Sequence, residues 1–138
     1  MKKITLPIFT VLTFLVLPVS NNALASSCAA DLALGNEYYN MAESALDIGL
    51  LNYEKAFGAD RQGDYELACE YLELSHKDLL GSIDFLDMAE TTYRKVTANC
   101  SGTQKSQAQE KIGYSQQLLT ESTYYESLVG RELGYQCR

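Results

Sequence analysis

The residues of this chain best suited to chemistry are its four cysteines, Cys28, Cys69, Cys100 and Cys137. An even number of widely spaced cysteines in an exported chain is typical of a disulfide framework. Metal or redox chemistry would favour cysteines close together in sequence, but no CxxC pair occurs, and His76 is the only histidine that could join them. We therefore interpret the cysteines as two structural disulfides and predict no metal site.

Other residue types that enzymes use are present without an arrangement that supports catalysis. His76 has no serine or cysteine nucleophile within a motif, and neither a phosphate-binding glycine loop nor a GxSxG sequence occurs. Carboxylates stand at helical spacing in two series, Glu66, Glu70, Glu73 and Asp84, Asp87. They could bind a cation or form an acid–base pair, but a solvated helix face explains them more simply. The sequence predicts no catalytic residue, no cofactor and no enzymatic activity.

All ten tyrosines lie beyond residue 25, and two adjacent pairs occur among them, Tyr38-Tyr39 and Tyr124-Tyr125. Neighbours on a helix point about 100° apart, so both members of a pair rarely reach one core. Exposed tyrosines are common anchors of protein interfaces. The alternative is a tyrosine at the core boundary whose hydroxyl stays in water. Tyr38, Tyr39, Tyr124 and Tyr125 are therefore the candidate partner-binding residues.

The first 25 residues have the three parts of a secretory signal. Met1-Lys2-Lys3 is basic, residues 4–19 are apolar, and Ala23-Leu24-Ala25 places small residues before a predicted cleavage site. The apolar segment is shorter than the ~20 residues that span a bilayer comfortably. It also contains two prolines. A retained membrane anchor is the alternative that these two features disfavour.

A lipoprotein signal is a second alternative, because residues 24–28 loosely fit a lipoprotein box that would acylate Cys28. The apolar segment ends at Val19, well before Cys28, whereas such a box usually adjoins it. Acylation would also leave an odd number of cysteines. We therefore favour cleavage after Ala25.

The predicted mature chain, residues 26–138, has the length of one domain. Without Lys2 and Lys3, nine basic side chains face 18 acidic ones, so its net charge is −9. Such a negative net charge disfavours binding to nucleic acid and to anionic membranes. The expected location is the bacterial periplasm or the exterior, with no membrane insertion after signal removal.

The mature part contains no proline and its apolar residues recur at helical spacing, which predicts three helices. The first runs from about Ala30 to Phe57 and stops at Gly58. The second runs from about Asp64 to Ala98. The third begins at a cap on Thr103 or Ser106 and ends near Leu133.

Each predicted helix has an inner row of residues, and the row of helix 2 is the most regular. Helix 1 contributes Gly35, Tyr39, Ala42, Leu46, Gly49, Tyr53 and Ala56. Helix 2 contributes Tyr65, Leu72, Leu79, Leu86 and Tyr93, beside Ala68, Ser75, Ser82, Ala89 and Val96. Helix 3 contributes Ala108, Ile112, Ser115, Leu119, Ser122, Val129 and Leu133. Gly81-Ser82 could break helix 2, but its seven-residue phase continues through them and favours one helix.

Short connections between long helices predict an all-α, antiparallel three-helix bundle. Cys69 and Cys100 would then lie roughly 45 Å apart along helix 2. Helix 1 separates Cys28 from Cys69 in the same way, and a disulfide needs Cα atoms within about 7 Å. The predicted pairs are therefore Cys28–Cys100 and Cys69–Cys137, at opposite ends of the bundle.

Residues 63–72, GDYELACEYL, resemble the turn and second helix of a tetratricopeptide repeat. No second copy follows at a 34-residue period, so no function is carried over. In size, export signal and helix content the chain also resembles the small periplasmic immunity proteins that neutralise secreted amidase toxins. That resemblance implies a protein that binds another protein.

The charges are predicted to divide between the two ends of the bundle. Basic residues gather at one end, namely Arg94, Lys95, Lys105 and Lys111. Acidic residues gather at the other, namely Glu54, Asp60, Asp64, Glu66, Glu70, Glu126 and Glu132. The acidic end could steer a basic partner. The leading hypothesis is a periplasmic protein-binding module, such as an inhibitor or immunity protein, that acts through a helix face. The alternative is a structural or accessory subunit of a bacterial envelope assembly.

Overall fold

The computed structural model of the chain describes residues 21–137, which form three α-helices. These are α1 (Asn21–Arg61), α2 (Tyr65–Asn99) and α3 (Gly102–Gln136). No strand occurs between residues 21 and 137, and two disulfides join the helices. The predicted all-α, antiparallel three-helix bundle with two disulfides is confirmed.

The predicted signal peptide, residues 1–25, lies mostly outside the described residues. Residues 1–20 and Arg138 are outside them, whereas residues 21–25 belong to the beginning of α1. Helix α1 therefore begins before the predicted start at Ala30. Cleavage after Ala25 and a single mature domain over residues 26–138 stay predictions.

Helix α1 packs closely on α2 because its inner row consists largely of glycine and alanine. Gly35, Ala42, Gly49 and Ala56 are all buried. The Ser75 hydroxyl on α2 donates a hydrogen bond to the Gly49 carbonyl at 2.8 Å. The Ser82 hydroxyl does the same to the Ala42 carbonyl at 2.9 Å. Both serines are fully buried, and these bonds satisfy hydroxyls that would otherwise destabilise the core.

Helix α3 covers the opposite edge of the inner row of α2. Its buried residues are Ala108, Ser115, Ser122 and Val129. The hydroxyls of Ser82 and Ser122 are hydrogen-bonded at 3.0 Å, which ties the middle of α3 to α2. Helix α2 therefore packs against both other helices, whereas α1 and α3 approach each other more rarely.

Helix α2 is continuous through Gly81, so the predicted unbroken helix is confirmed. Leu72, Leu79, Leu86 and Tyr93 are buried as the seven-residue pattern predicts. The first member of that row is an exception, because the Tyr65 side chain is 65% exposed. Tyr65 is the first residue of α2, and burial starts one turn later.

Two predicted helix boundaries are wrong for identifiable reasons. Helix α1 continues through Gly58, and the chain turns at Gly63, whose φ is +79°. The amides of Gly63 and Asp64 donate to the carbonyls of Asp60 and Ala59, a Schellman arrangement that needs a left-handed residue at position 63. At the other turn, Ser101 occupies the N-cap position of α3, rather than Thr103 or Ser106.

The disulfides close the two ends of the bundle with the predicted pairing. Cys28 near the start of α1 is bonded to Cys100 at the end of α2, with Cα atoms 6.0 Å apart. Cys69 in α2 is bonded to Cys137 after α3, with Cα atoms 5.6 Å apart. Disulfides in a domain of this size are typical of proteins that fold outside the reducing cytosol.

Candidate partner-binding surfaces

The four predicted tyrosines differ in exposure. Tyr124 is 62% exposed, whereas Tyr38, Tyr39 and Tyr125 are half-buried. The Tyr125 ring packs against the core and meets the Tyr124 ring edge-on, with ring centroids 5.2 Å apart. Tyr124 is therefore the member of the four that presents most of its ring to solvent, and its role in binding stays a prediction.

Tyr39 lies where α1 approaches α3. The Lys111 ammonium on α3 lies 4.9 Å from the Tyr39 ring centroid and 5.8 Å from that of Tyr114. The Tyr114 hydroxyl donates to the Glu110 carboxylate at 2.8 Å. This lysine is thus held by two aromatic faces, which makes it less available to an acidic partner.

Tyrosines in both core clusters of the bundle have raised pKa values. Burial is the main cause for Tyr39 and Tyr53, and nearby carboxylates add to it. For Tyr114 the hydrogen bond to Glu110 raises the pKa. Burial raises the pKa of Tyr93 to about 12. These phenols therefore remain neutral hydrogen-bonding groups across the physiological pH range.

A small pocket lies near the end of the bundle where Cys69 and Cys137 are joined. It lies between α1, α2 and α3 and has a cavity volume of about 10 Å³, which is room for about one water molecule. Its lining residues are Tyr53, Ala56, Phe57, Asp60, Leu72, Glu132 and Gln136. The rings of Tyr53 and Phe57 meet edge-on at 4.7 Å. This volume is far below the ~300 Å³ of typical small-molecule sites, so the pocket is a narrow surface cleft.

We call this feature the acidic-end pocket. Its lining combines apolar side chains with two carboxylates. Ala56 and Leu72 are buried, and the carboxyl-bearing residues Asp60 and Glu132 belong to the lining. An apolar stem ending in a positive charge, as in lysine or arginine, matches this arrangement.

The helix arrangement brings the predicted acidic residues toward the same end as this pocket. Three basic residues that the sequence-based grouping omitted also lie toward it, Lys55, Arg61 and Arg131. Within residues 21–137, the ion pairs include Glu126 with His76 but none that involves Asp60 or Glu132. Glu132 accepts a hydrogen bond from the Gln136 side-chain amide at 3.0 Å, and neither carboxylate has a cationic partner among the described residues.

Basic residues toward the other end are largely engaged within the chain. Arg94 pairs with Glu90 one turn earlier on α2. The Lys95 ammonium lies 2.9 Å from the Asp31 carboxylate on α1. These internal pairs reduce the positive charge of this end, so the charge difference between the two ends is smaller than the sequence predicts.

A second surface was missed by the sequence analysis. Large apolar side chains are exposed in two rows, Leu34, Met41, Ile48 on α1 and Leu67, Leu74, Met88 on α2, with exposed fractions between 37% and 49%. We call these six residues the seam face, because the two rows flank the line along which α1 and α2 pack. Tyr38 and Met88 line a common depression there.

The seam face lies on the side of the bundle opposite α3. On α2, the residues bonded to α3 are Cys69, His76 and Glu90. The α2 seam residues each precede one of these by two positions, about 200° further round the helix. Their seven-residue spacing was visible in the sequence, but it runs beside the inner row and resembles a wide core face.

The other residues that the sequence analysis considered for chemistry are His76 and the two carboxylate series. The His76 Nε2 atom lies 2.9 Å from Glu126 Oε1, which makes His76 part of the α2–α3 contact. The two predicted carboxylate series, including Glu70 and Asp84, are exposed. Among the described residues, no group of three or more histidine, cysteine, aspartate or glutamate side chains is arranged to hold a metal ion.

No protein-family model matches the chain, and neither a curated protein nor a solved structure does. Within residues 21–137, none of the helices has a segment apolar and long enough to cross a membrane. The function of the chain is therefore inferred from the residues of its own surfaces.

Proposed function

We propose that this chain is an exported, periplasmic protein-binding module that holds a basic protein partner at its acidic end, as an inhibitor or immunity protein would. The observation that carries the proposal is the acidic-end pocket, a narrow cleft where Asp60 and Glu132 stand beside aromatic and apolar side chains. A lysine or arginine of the partner would lay its stem on the exposed Phe57 ring and place its charge beside the carboxylates.

Electrostatic steering supports the same choice of partner. The chain has a formal net charge of −7, and its internal ion pairs neutralise Arg94 and Lys95 at the opposite end. A basic partner is therefore attracted to the chain by its net negative charge, and the carboxylates at the pocket are where it would bind. The exposed Tyr124, about two turns before Glu132 on α3, offers a further aromatic contact.

The proposal is tested by a pull-down from periplasmic extract with the exported, oxidised protein. The test variant combines Asp60→Asn with Glu132→Gln, and the control combines Asp84→Asn with Asp87→Asn, which changes the net charge equally. We expect one stoichiometric partner that the wild type and the control capture and the test variant loses. The affinity for that partner, measured by calorimetry, should fall at least about tenfold in the test variant.

Two results would contradict this proposal. A partner held equally by the wild type and the test variant would exclude the acidic-end pocket as the site. Capture of several envelope proteins together would favour the alternative, an accessory subunit of an envelope assembly. The exposed seam face is the feature that favours that alternative, because an assembly would cover it.

A further inference from the structure

The seam face is the uncovered side of the α1–α2 pair. Helix α3 packs on the opposite side, and within residues 21–137 no fourth helix is present to cover this one. The six large apolar residues of the face are each more than one-third exposed. Single exposed apolar residues are common in soluble proteins, but rows of them along one side mark an interaction site.

The spacing of the two rows indicates that a helix can pack between them. Each row repeats every seven residues, and Gly81 occupies the position between Leu74 and Met88 in the α2 row. A seven-residue repeat keeps such a row along one side of a helix, where the side chains of a facing helix interlock with it. Gly81 leaves a notch in the row, since a Cβ atom added there would meet nothing within 4 Å. A facing helix can therefore place a large apolar side chain in this notch.

Carboxylates stand beside the apolar residues of the seam face on both helices. On α1, Glu37 lines a surface depression together with Met41. On α2, Glu70 and Glu73 line another together with Leu74. All three glutamates are exposed. The apolar rows are therefore bordered by acidic residues along both outer edges.

The charge of these edges is not compensated within the chain. A third depression joins Asp87 with Met88, which gives four carboxylates in the three depressions against one basic residue, Lys77. None of the four takes part in an ion pair within residues 21–137. The seam face therefore presents apolar rows inside a negative border.

A further carboxylate lies between the two rows. Asp78 and Asn52 follow Leu74 and Ile48 by four positions, so each lies about 40° round its helix from a seam residue. The half-buried Asp78 accepts a hydrogen bond from the buried Asn52 amide at 3.0 Å, but no ion pair of the described residues involves it. A cation brought to Asp78 by a partner would be attracted more strongly than at an exposed carboxylate, because less water screens it.

From these observations we propose that the seam face binds a basic, amphipathic α-helix of a partner protein, as a second surface apart from the acidic-end pocket. The apolar side of that helix packs between the two rows, as helices do in recognition grooves. Lysine or arginine side chains along its edges pair with Glu37 on α1 and with Glu70 and Glu73 on α2. The same carboxylates would repel both an anionic membrane and a second copy of this chain.

The test is a calorimetric titration of the exported, oxidised protein with a synthetic peptide. A peptide of about 21 residues matches, as a helix, the roughly 31 Å between Leu67 and Met88. It has leucine at the a and d positions of each heptad and lysine at the e and g positions. A second peptide has glutamate in place of every lysine. We expect the lysine peptide to bind at least about tenfold more tightly than the glutamate peptide, and less tightly as the salt concentration rises.

Two double variants test the apolar and the charged part of the surface separately. Met41→Gln with Met88→Gln removes apolar contact at positions that are 43% and 48% exposed. Glu37→Gln with Glu73→Gln removes two exposed carboxylates. Each variant should bind the lysine peptide at least about fivefold more weakly than the wild type, at unchanged helicity. Ile48→Gln, at a 49% exposed position, replaces the methionine variant if that variant loses helicity.

The matched control is Glu110→Gln with Glu121→Gln, which removes two exposed carboxylates from α3. It should bind the lysine peptide as the wild type does. Asp84→Asn with Asp87→Asn, which leaves the acidic-end pocket intact, should bind the lysine peptide more weakly and so separates the two surfaces.

Three results would overturn the proposal. The first is that the wild type binds neither peptide or binds both equally. The second is that both test variants bind the lysine peptide as tightly as the wild type. The third is that the wild type self-associates in sedimentation equilibrium and the methionine variant does not, since a second copy would then be the occupant. No variant in this test alters the acidic-end pocket, so the outcome is independent of the proposed function.

Discussion

The ring of Tyr93 on α2 lies directly against the backbone of Gly35 on α1. A Cβ atom added to Gly35 would stand 2.6 Å from Tyr93 Cε1 and 2.8 Å from Cδ1. The Tyr93 hydroxyl continues past this contact and donates to the Asn36 side-chain oxygen at 2.8 Å. The small residue on α1 therefore determines how closely the largest fully buried side chain of α2 can approach.

We predict that Gly35→Ala destabilises the protein. The added methyl group must displace a fully buried ring, which costs about 1–3 kcal/mol and exceeds the gain in helix propensity. Urea unfolding monitored by circular dichroism measures the change. Gly58→Ala is the control, because its added Cβ meets nothing within 4 Å, and it should be stabilised by about 0.5–1 kcal/mol. A Gly35→Ala variant as stable as Gly58→Ala would contradict the prediction.

Alkaline pH should destabilise the fold through Tyr93. Burial raises the pKa of Tyr93 from 10.0 to about 12, so the folded chain retains a proton that the unfolded chain loses. The stabilisation is complete below pH 10 and declines as the pH rises to about 12, by up to about 1.4 kcal/mol per pH unit. The raised pKa values of Tyr39 and Tyr53 act in the same direction.

Tyr93→Phe separates this effect from the titration of the other tyrosines. The variant loses the hydrogen bond to Asn36 and should be about 0.5–1.5 kcal/mol less stable at neutral pH. It should also lose less stability than the wild type between neutral pH and pH 12. Parallel declines in the two proteins, measured by urea unfolding at each pH, would exclude Tyr93 as the group responsible.

The disulfide between Cys69 and Cys137 should contribute most of its effect by restricting the unfolded chain. It joins residues 68 positions apart, for which the chain-entropy treatment gives roughly 4 kcal/mol. A double variant, Cys69→Ser with Cys137→Ser, should therefore unfold at a much lower temperature than the wild type in oxidising buffer. In strong reductant the two proteins should converge. Equal stability in oxidising buffer would refute a structural role, and peptide mapping under non-reducing conditions checks the pairing.

The disulfide pairing could be predicted because helix length excludes the alternatives. Residues 69 and 100 are at opposite ends of α2 whatever the side chains do, so only the two end-to-end pairs remain. The inner row of α2 could be predicted equally well, since Leu72, Leu79 and Leu86 repeat every seven residues and all are buried. In both cases a long-range property follows from a regular helical period.

Features that depend on one turn of chain were less predictable. Both Gly58 and Gly63 are reasonable helix stops by residue type, and local sequence does not rank them. The structure favours Gly63, because Ala59 is buried and extends the α1 core contact past Gly58. Tyr65 continues the row of α2 in sequence but is exposed, since it precedes the first buried turn.

The candidate surfaces needed three-dimensional placement. The acidic-end pocket joins Phe57 and Asp60 of α1 with Glu132 of α3, and no sequence spacing links these residues. The tyrosine pairs could be identified from the sequence, but their exposure could not. Only the packing of the helices separates the exposed Tyr124 from the half-buried Tyr125.

This pair gives a final prediction that separates binding from stability. Tyr124→Ala removes a ring that is 62% exposed, so the thermal stability should change little. Tyr125→Ala removes a ring packed against the core, and large-to-small changes in a core cost about 3–5 kcal/mol when burial is complete. We expect a smaller but clear loss of stability, because Tyr125 is half-buried.

If Tyr124 contacts the partner, Tyr124→Ala should weaken partner binding by about 1–2 kcal/mol in calorimetry. Unchanged affinity in Tyr124→Ala, with the fold intact, would remove Tyr124 from the interface and leave the acidic-end pocket as the contact.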